Sequence, residues 1–323
     1  MMRAMLSDPR LHEDELFELI EVRPPYFAIE DICRLQDGTL VATVPVEQAL
    51  GDEDAAISSA EAGRHLAILG SCAAALANPE RTKHFYLAYE ANFKWRNHQP
   101  TNPEHVGDGR LVGYCGRAQI NGRIATATTW LETKQGERLC ELEVAYKVLS
   151  SGAFEAIFSA HEKELRRQRR SSSLILAPDL QAAKDRRRNP YAAEPPLTDV
   201  EIEGDRLSAS LGVVQAEQCM GHFPRFPALP VAILAYDLIR SATTLCRARR
   251  GYDRLRVRLD EASLRADNLP FAGMPLGVRA EFLGQEVVDQ PDGPNALREL
   301  YRCEALSGAV PIGAINLSLF VAT

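Results

Sequence analysis

The segment Gly221-His222-Phe223-Pro224-Arg225-Phe226-Pro227-Ala228-Leu229-Pro230 constrains this 323-residue chain more than any other. Its three prolines fix φ, and proline is tolerated where a helix begins. An apolar run with helical spacing, Val231-Ala232-Ile233-Leu234-Ala235-Tyr236-Asp237-Leu238-Ile239, follows at once. A rigid turn feeding a sharply defined helix start is therefore expected. It holds one titratable imidazole beside the free N–H groups of a helix N-terminus, which polarise an acyl carbonyl well. An ordinary loop histidine carries no function; the stiff setting of His222 favours a site.

Around that turn the chain reads as two halves with the same order of elements. The first opens with a short amphipathic helix at 15–20, a turn and strand at 23–32 and an alternating strand at 39–46. A small-residue helix follows over 58–77, with Ser58 at its N-cap and Asn78-Pro79 at its end. Strand patterns come next at 85–94, 109–119, 123–132 and 141–148, and Asn121-Gly122 is a tight hairpin signal. The second half has a strand at 206–214, the His222 turn, a helix over 231–249, and strands at 254–264, 276–283, 297–306 and 312–321. This gives an α+β fold with one domain at 1–153 and another at 197–323. The stretch between them, 154–196, carries charge runs such as Arg166-Arg167-Gln168-Arg169-Arg170 and reads as a basic, solvated linker of helical or irregular structure.

The turn resembles that of the β-hydroxyacyl-thioester dehydratases of the hotdog fold. In that family a G-H-F-P-x-x-P-x-x-P-G turn carries the catalytic histidine and leads into the central helix. His222, Phe223, Pro224, Pro227 and Pro230 match, and Val231 stands where the family has glycine. The Arg23-Pro24-Pro25-Tyr26-Phe27 turn after a short helix also looks like that family's opening. The resemblance implies a double hotdog, two fused modules packed as single-module relatives pack in their homodimer. It implies an acyl thioester, on acyl carrier protein or coenzyme A, as partner, and dehydration in a fatty-acid or polyketide-type pathway as the reaction. One departure bears on that reaction. The family's helix carboxylate falls on Tyr236, and Asp237 comes one residue late, turned by about 100° on a helix.

In the family the histidine faces the central helix of the other module. On this chain the facing helix offers Glu61, Arg64 and His65. Glu61 and His65 are spaced i, i+4 and share a face, so they are expected to supply the acid/base group opposite His222. Glu61 also suits the helix dipole as a first-turn glutamate, and His65 also suits a satisfied polar residue in an apolar helix; both readings stay open. Tyr236 reads either as core or as a hydroxyl donor to substrate. Gly221, Phe223, Pro230 and Val231 would form the rest of the binding surface, with the Val231 amide holding a developing oxyanion. Gly63, among other small residues of the first helix, would leave room for an acyl chain. The mirror-image site, Tyr236 against residues 49–54, has no histidine, so one working site per chain is expected.

Three functions remain open on the sequence: dehydration, thioester hydrolysis with Glu61 or His222 activating water, and a non-catalytic acyl-carrier-binding scaffold. The net charge of -7 gives no support for a nucleic-acid partner. Seven scattered cysteines without a C-x-x-C pair look like reduced thiols of a cytoplasmic protein. The acidic N-terminus does not read as a signal peptide, and no run is long enough to span a bilayer. No phosphate loop, dinucleotide glycine set or nucleophile elbow is present, and no metal-ligand spacing, so neither cofactor nor metal is expected. A homodimer of such chains is left open.

Overall fold

A computed structural model of the protein describes residues 10–96, 109–159, 189–192, 196–252, 254–288 and 296–321. The first half contains α1 (Glu13–Ile20), β1 (Glu30–Arg34), β2 (Leu40–Pro45), α2 (Ser59–Ala77), β3 (His84–Trp95), β4 (Arg110–Asn121), β5 (Ile124–Glu132) and β6 (Arg138–Ser150). A helical segment α3, residues 151–159, leads out of it. The second half contains β7 (Thr198–Glu203), β8 (Arg206–Val213), α4 (Val231–Arg250), β9 (Val257–Ala266), β10 (Pro275–Val288), β11 (Ala296–Ser307) and β12 (Val310–Val321).

The strands form one twelve-stranded antiparallel sheet in the order β1-β2-β4-β5-β6-β3-β9-β12-β11-β10-β8-β7. Read inward from either end, the two halves present equivalent strands in the same sequence, and they meet at β3 and β9. There Ala91 pairs with Leu264, Asn92 with Ser263 and Phe93 with Ala262. Opposite charges face each other at the seam's two ends, Glu90 with Arg265 and Lys94 with Glu261. Such cross-strand pairs favour this register over its neighbours.

The alternation of buried and exposed residues on β2, β5 and β6 follows from one face packing on a helix. Helix α2 packs on β4 and β5, α4 packs on β10 and β11, and the two helices touch each other. Ser58 caps α2 by accepting from the Glu61 amide at 3.2 Å. Small residues let α2 sit close to the sheet. A Cβ on Gly70 would lie 2.6 Å from the Tyr146 hydroxyl and 3.0 Å from Ala127 Cβ. Helix α4 begins after Pro230 and ends at Gly251, whose positive φ of 66° suits glycine at that position. Asn121-Gly122 turns the β4–β5 hairpin as expected, with Asn121 opposite Ile124.

One strand was not read from the sequence. Strand β7 is exposed along its whole length at the sheet's outer edge and has no apolar alternation to betray it. Helix α3 begins inside the first module and carries Phe154, which is fully buried, into the turn described next. Most of the basic stretch, 160–188, lies outside the described residues. Among those described, no helix is long and apolar enough to cross a membrane. All seven cysteines are free thiols.

Candidate active site

The turn before α4 is held from several sides. A short 3-10 helix, Ala216–Cys219, leads into it. Gly221 has φ 78°, and its carbonyl accepts from the Arg23 amide at 2.7 Å. A Cβ at Gly221 would stand 2.1 Å from the Arg23 carbonyl oxygen, so only glycine fits. The backbone of His222 bridges to Val22, and the Phe223 amide donates to the Glu21 carbonyl at 3.3 Å. The turn of the second half is thus docked on residues 21–23 of the first. On its other side, Leu229 and Ala272 exchange bonds with Pro270 and Pro227 carbonyls, at 2.8 and 3.0 Å.

Aromatic packing fixes the ring at position 222. Phe223 is buried at a positive φ of 51° and stacks on the imidazole with centroids 3.9 Å apart. Phe85 and Phe154 meet Phe223 edge-on at 5.2 and 5.5 Å. Tyr26 meets the imidazole edge-on at 5.2 Å. A positive φ at a phenylalanine costs energy, and this cluster is what offsets it.

The chemistry of His222 follows from one bond. Its Nδ1 lies 2.9 Å from the Ala228 carbonyl oxygen, which can only accept. Nδ1 therefore carries the proton, and Nε2 presents a lone pair. No protein group among the described residues bonds Nε2. Burial among the rings pushes the imidazole down to about 4, and the Ala228 bond offsets this only in part. His222 is thus a neutral base above that pH.

A cavity of about 70 Å³ opens beside the ring, between the two helices. Ala67, Ile68 and Ser71 of α2 face it from one half, and Val231, Ala232 and Leu234 of α4 from the other. Three of the other polar groups on its wall are already engaged. Tyr146 donates to the Ala67 carbonyl at 2.6 Å, Ser71 to the Ile68 carbonyl at 2.8 Å, and Asn268 to the Pro311 carbonyl at 2.8 Å. The amides of Ile233 and Leu234 both reach the Pro230 carbonyl, at 3.0 and 3.1 Å. Those of Val231 and Ala232 precede the first intrahelical bond and have no helical acceptor.

The other expected site residues lie elsewhere. Glu61 and His65 are together, with Nε2 of His65 3.5 Å from Oε1 of Glu61, and both are fully buried. Neither lines the His222 cavity, and no hydrogen bond joins either to His222. Glu61 precedes Ile68 by seven residues, about 10 Å along the helix. Its Oε1 instead accepts from the Glu47 and Gln48 amides at 2.7 and 3.1 Å. Burial pushes the Glu61 carboxyl up, but His65, Arg64 and the Glu47 amide outweigh it and hold the group below its usual range. Burial and the Arg64 charge push His65 down. Tyr236 packs against the core beneath Arg240, away from the cavity. Gly63 faces open space, with nothing within 4 Å of where its Cβ would be.

Three residues that were given no role on the sequence, Arg64, Tyr26 and Tyr191, stand between these groups. Arg64 is fully buried, bonds Glu47 at 2.8 Å, and lies over the rings of Tyr26 and Tyr191 at 5.8 and 5.5 Å. Tyr191, from the segment read as linker, donates to the Met220 carbonyl at 2.5 Å and so supports the turn from behind. An arginine inside an otherwise small and apolar helix was the available signal for this network.

No protein-family model matches the chain, and no curated protein does. Solved structures do. The TesB protein of Mycobacterium avium subspecies paratuberculosis is 11% identical, covers 91% of this chain with 96% of its own, and gives a TM-score of 0.54. A protein from Thermobifida fusca inferred to be a thioesterase II is 12% identical, covers 94% of this chain with 100% of its own, and gives 0.51. These likenesses show the fold. It is the hotdog arrangement, with long helices wrapped by antiparallel strands, and the expectation of a hotdog α+β fold holds. The Thermobifida fusca protein is named a thioesterase II, and neither of the two is named a dehydratase.

Proposed function

We propose that the chain is a double hotdog, with modules at 1–153 and 197–323, that hydrolyses short acyl thioesters at His222. The observation that carries this reading is the unpartnered Nε2 of a neutral imidazole facing a cavity with no carboxylate on its wall. Dehydration needs an acid to protonate the departing β-hydroxyl. Hydrolysis needs a base, a water and donors for the oxyanion. The names of the similar structures favour the same choice.

In the proposed reaction, Nε2 takes a proton from water, and the hydroxide attacks the thioester carbonyl carbon. The Val231 and Ala232 amides receive the oxyanion. The tetrahedral intermediate collapses, the carbon–sulfur bond breaks, and the imidazolium returns its proton to the leaving thiolate. The products are a free acid and a thiol. Glu61 and His65 have no step in this scheme, because the cavity does not reach them.

Cavity size sets the substrate class. A cavity of ~150 Å³ accepts benzene, so about 70 Å³ suits an acyl group of roughly two to four carbons. The test is mass spectrometry of acyl and 3-hydroxyacyl thioesters of graded length, on coenzyme A and on acyl carrier protein. Free acid from the short chains, falling ~10²- to 10⁴-fold in His222→Gln, is the expected result. An enoyl product would restore dehydration, and no turnover of any thioester would leave the scaffold reading.

A further inference from the structure

A second polar cluster lies at the N-terminal end of α2, outside the His222 cavity. One oxygen each from Glu47 and Glu61 and one ring nitrogen of His65 lie within 4.8 Å of one another. Glu61 and His65 are fully buried, whereas Glu47 is partly exposed and opens the cluster to solvent. The cluster is also conspicuously unsatisfied. Glu61 Oε2 and both ring nitrogens of His65 are buried without a hydrogen-bond partner, as are Nε and Nη1 of Arg64. Buried polar atoms rarely go unpaired, so five in one place indicate a missing participant. We propose that Glu47, Glu61 and His65 bind a divalent transition-metal ion of the zinc or manganese type.

The donor set fits such an ion. Two carboxylates and an imidazole suit zinc and manganese, while magnesium prefers oxygen ligands alone. Ligands at ~2.1 Å from a tetrahedral ion stand about 3.4 Å apart, so side-chain adjustments close the present spacing. Each carboxylate has an oxygen to give. Glu61 uses Oε1 for two amides and keeps Oε2; Glu47 uses Oε2 for Arg64 and keeps the other. Two carboxylates against one guanidinium leave the cluster net negative. A water or hydroxide completing the ion's shell would accept from the idle Arg64 nitrogens. Glu47 lies 14 residues before Glu61, in the loop after β2, so no local ligand spacing announces the site in the sequence.

The full chain, stripped with chelator, is titrated with Zn²⁺, Mn²⁺ and Mg²⁺ and desalted, and bound metal and thermal midpoint are measured. One Zn²⁺ or Mn²⁺ per chain is expected, with a raised midpoint. Affinity should fall at least tenfold in Glu47→Gln, whose amide oxygen can still accept from the buried Arg64, and in His65→Asn. Co²⁺ in place of zinc should show visible absorption bands that both variants lose. No retained transition metal in the wild type overturns the proposal, as does full retention in both variants. Water alone would then satisfy the cluster.

Discussion

The two helix-start turns of this molecule occupy comparable places, before α2 and before α4, yet they end in opposite states. The turn before α4 keeps an idle base, His222, beside a cavity. The turn before α2 is closed by charge and by side-chain bonds. Asp52 accepts from Thr243 at 3.3 Å and from Arg247 at 3.1 Å, and Arg256 donates to the Glu53 carbonyl at 3.0 Å. Glu53 is buried and takes the Ser59 amide at 3.0 Å and the Ser59 hydroxyl, which in turn accepts from Trp95 at 2.9 Å. Repeating an order of strands and helices therefore does not repeat a site. What separates the two turns at this point is that the Glu53 carboxylate is engaged by Ser59 whereas the His222 ring keeps one nitrogen unengaged.

The strongest way to break the comparison is Gly221→Ala. The new Cβ meets the Arg23 carbonyl, and alanine at φ 78° is strained in its own right. A loss of about 3 kcal/mol in denaturant unfolding is expected, with turnover abolished. An unchanged unfolding midpoint would show that the docking on residues 21–23 is not tight. Next comes His222→Gln, which removes the base while leaving a side chain that can still reach Ala228. Its effect should fall on kcat/KM, by ~10²- to 10⁴-fold.

The two turns should also respond to pH in opposite directions. Burial lowers His222 from 6.5 to about 4, so the folded state binds fewer protons than the unfolded one between those values. That contribution is complete above pH 6.5 and is lost as pH falls toward 4. Burial raises Glu53 from 4.5 to about 7, with the two Ser59 bonds pulling the other way. Its contribution is complete below pH 4.5 and is lost as pH rises through 7. Denaturant midpoints across pH 3–8 should show His222→Gln flattening the acid-side loss and Glu53→Gln flattening the loss toward neutral pH. The smallest effect belongs to Asp52→Asn. Asp52 and its ion-pair partner Arg247 are each about a third exposed, so a change below about 1 kcal/mol is expected, shrinking further in salt.

Much of this was legible in the sequence, and the reasons are physical. The long strands alternate because one face is buried, and α2 and α4 announce themselves through Ser58, Pro230 and apolar spacing. Strand β7 escaped because nothing on it is buried. His222 was found because a proline turn is a local feature. The company it keeps is not local. Helix spacing placed Glu61 and His65 correctly beside each other, but it has no means of saying which turn of α2 faces a loop more than 150 residues away. Tyr26, Arg64 and Tyr191 come from three distant segments and meet only in the folded chain.

The β3–β9 seam has a consequence for heredity. Were the halves separate and identical, joined edge to edge by symmetry, every substitution would appear twice, once at each turn. Here each turn has its own codons. A histidine can be kept at one and sealed out of the other, and the chain can tune the first without paying any toll at the second.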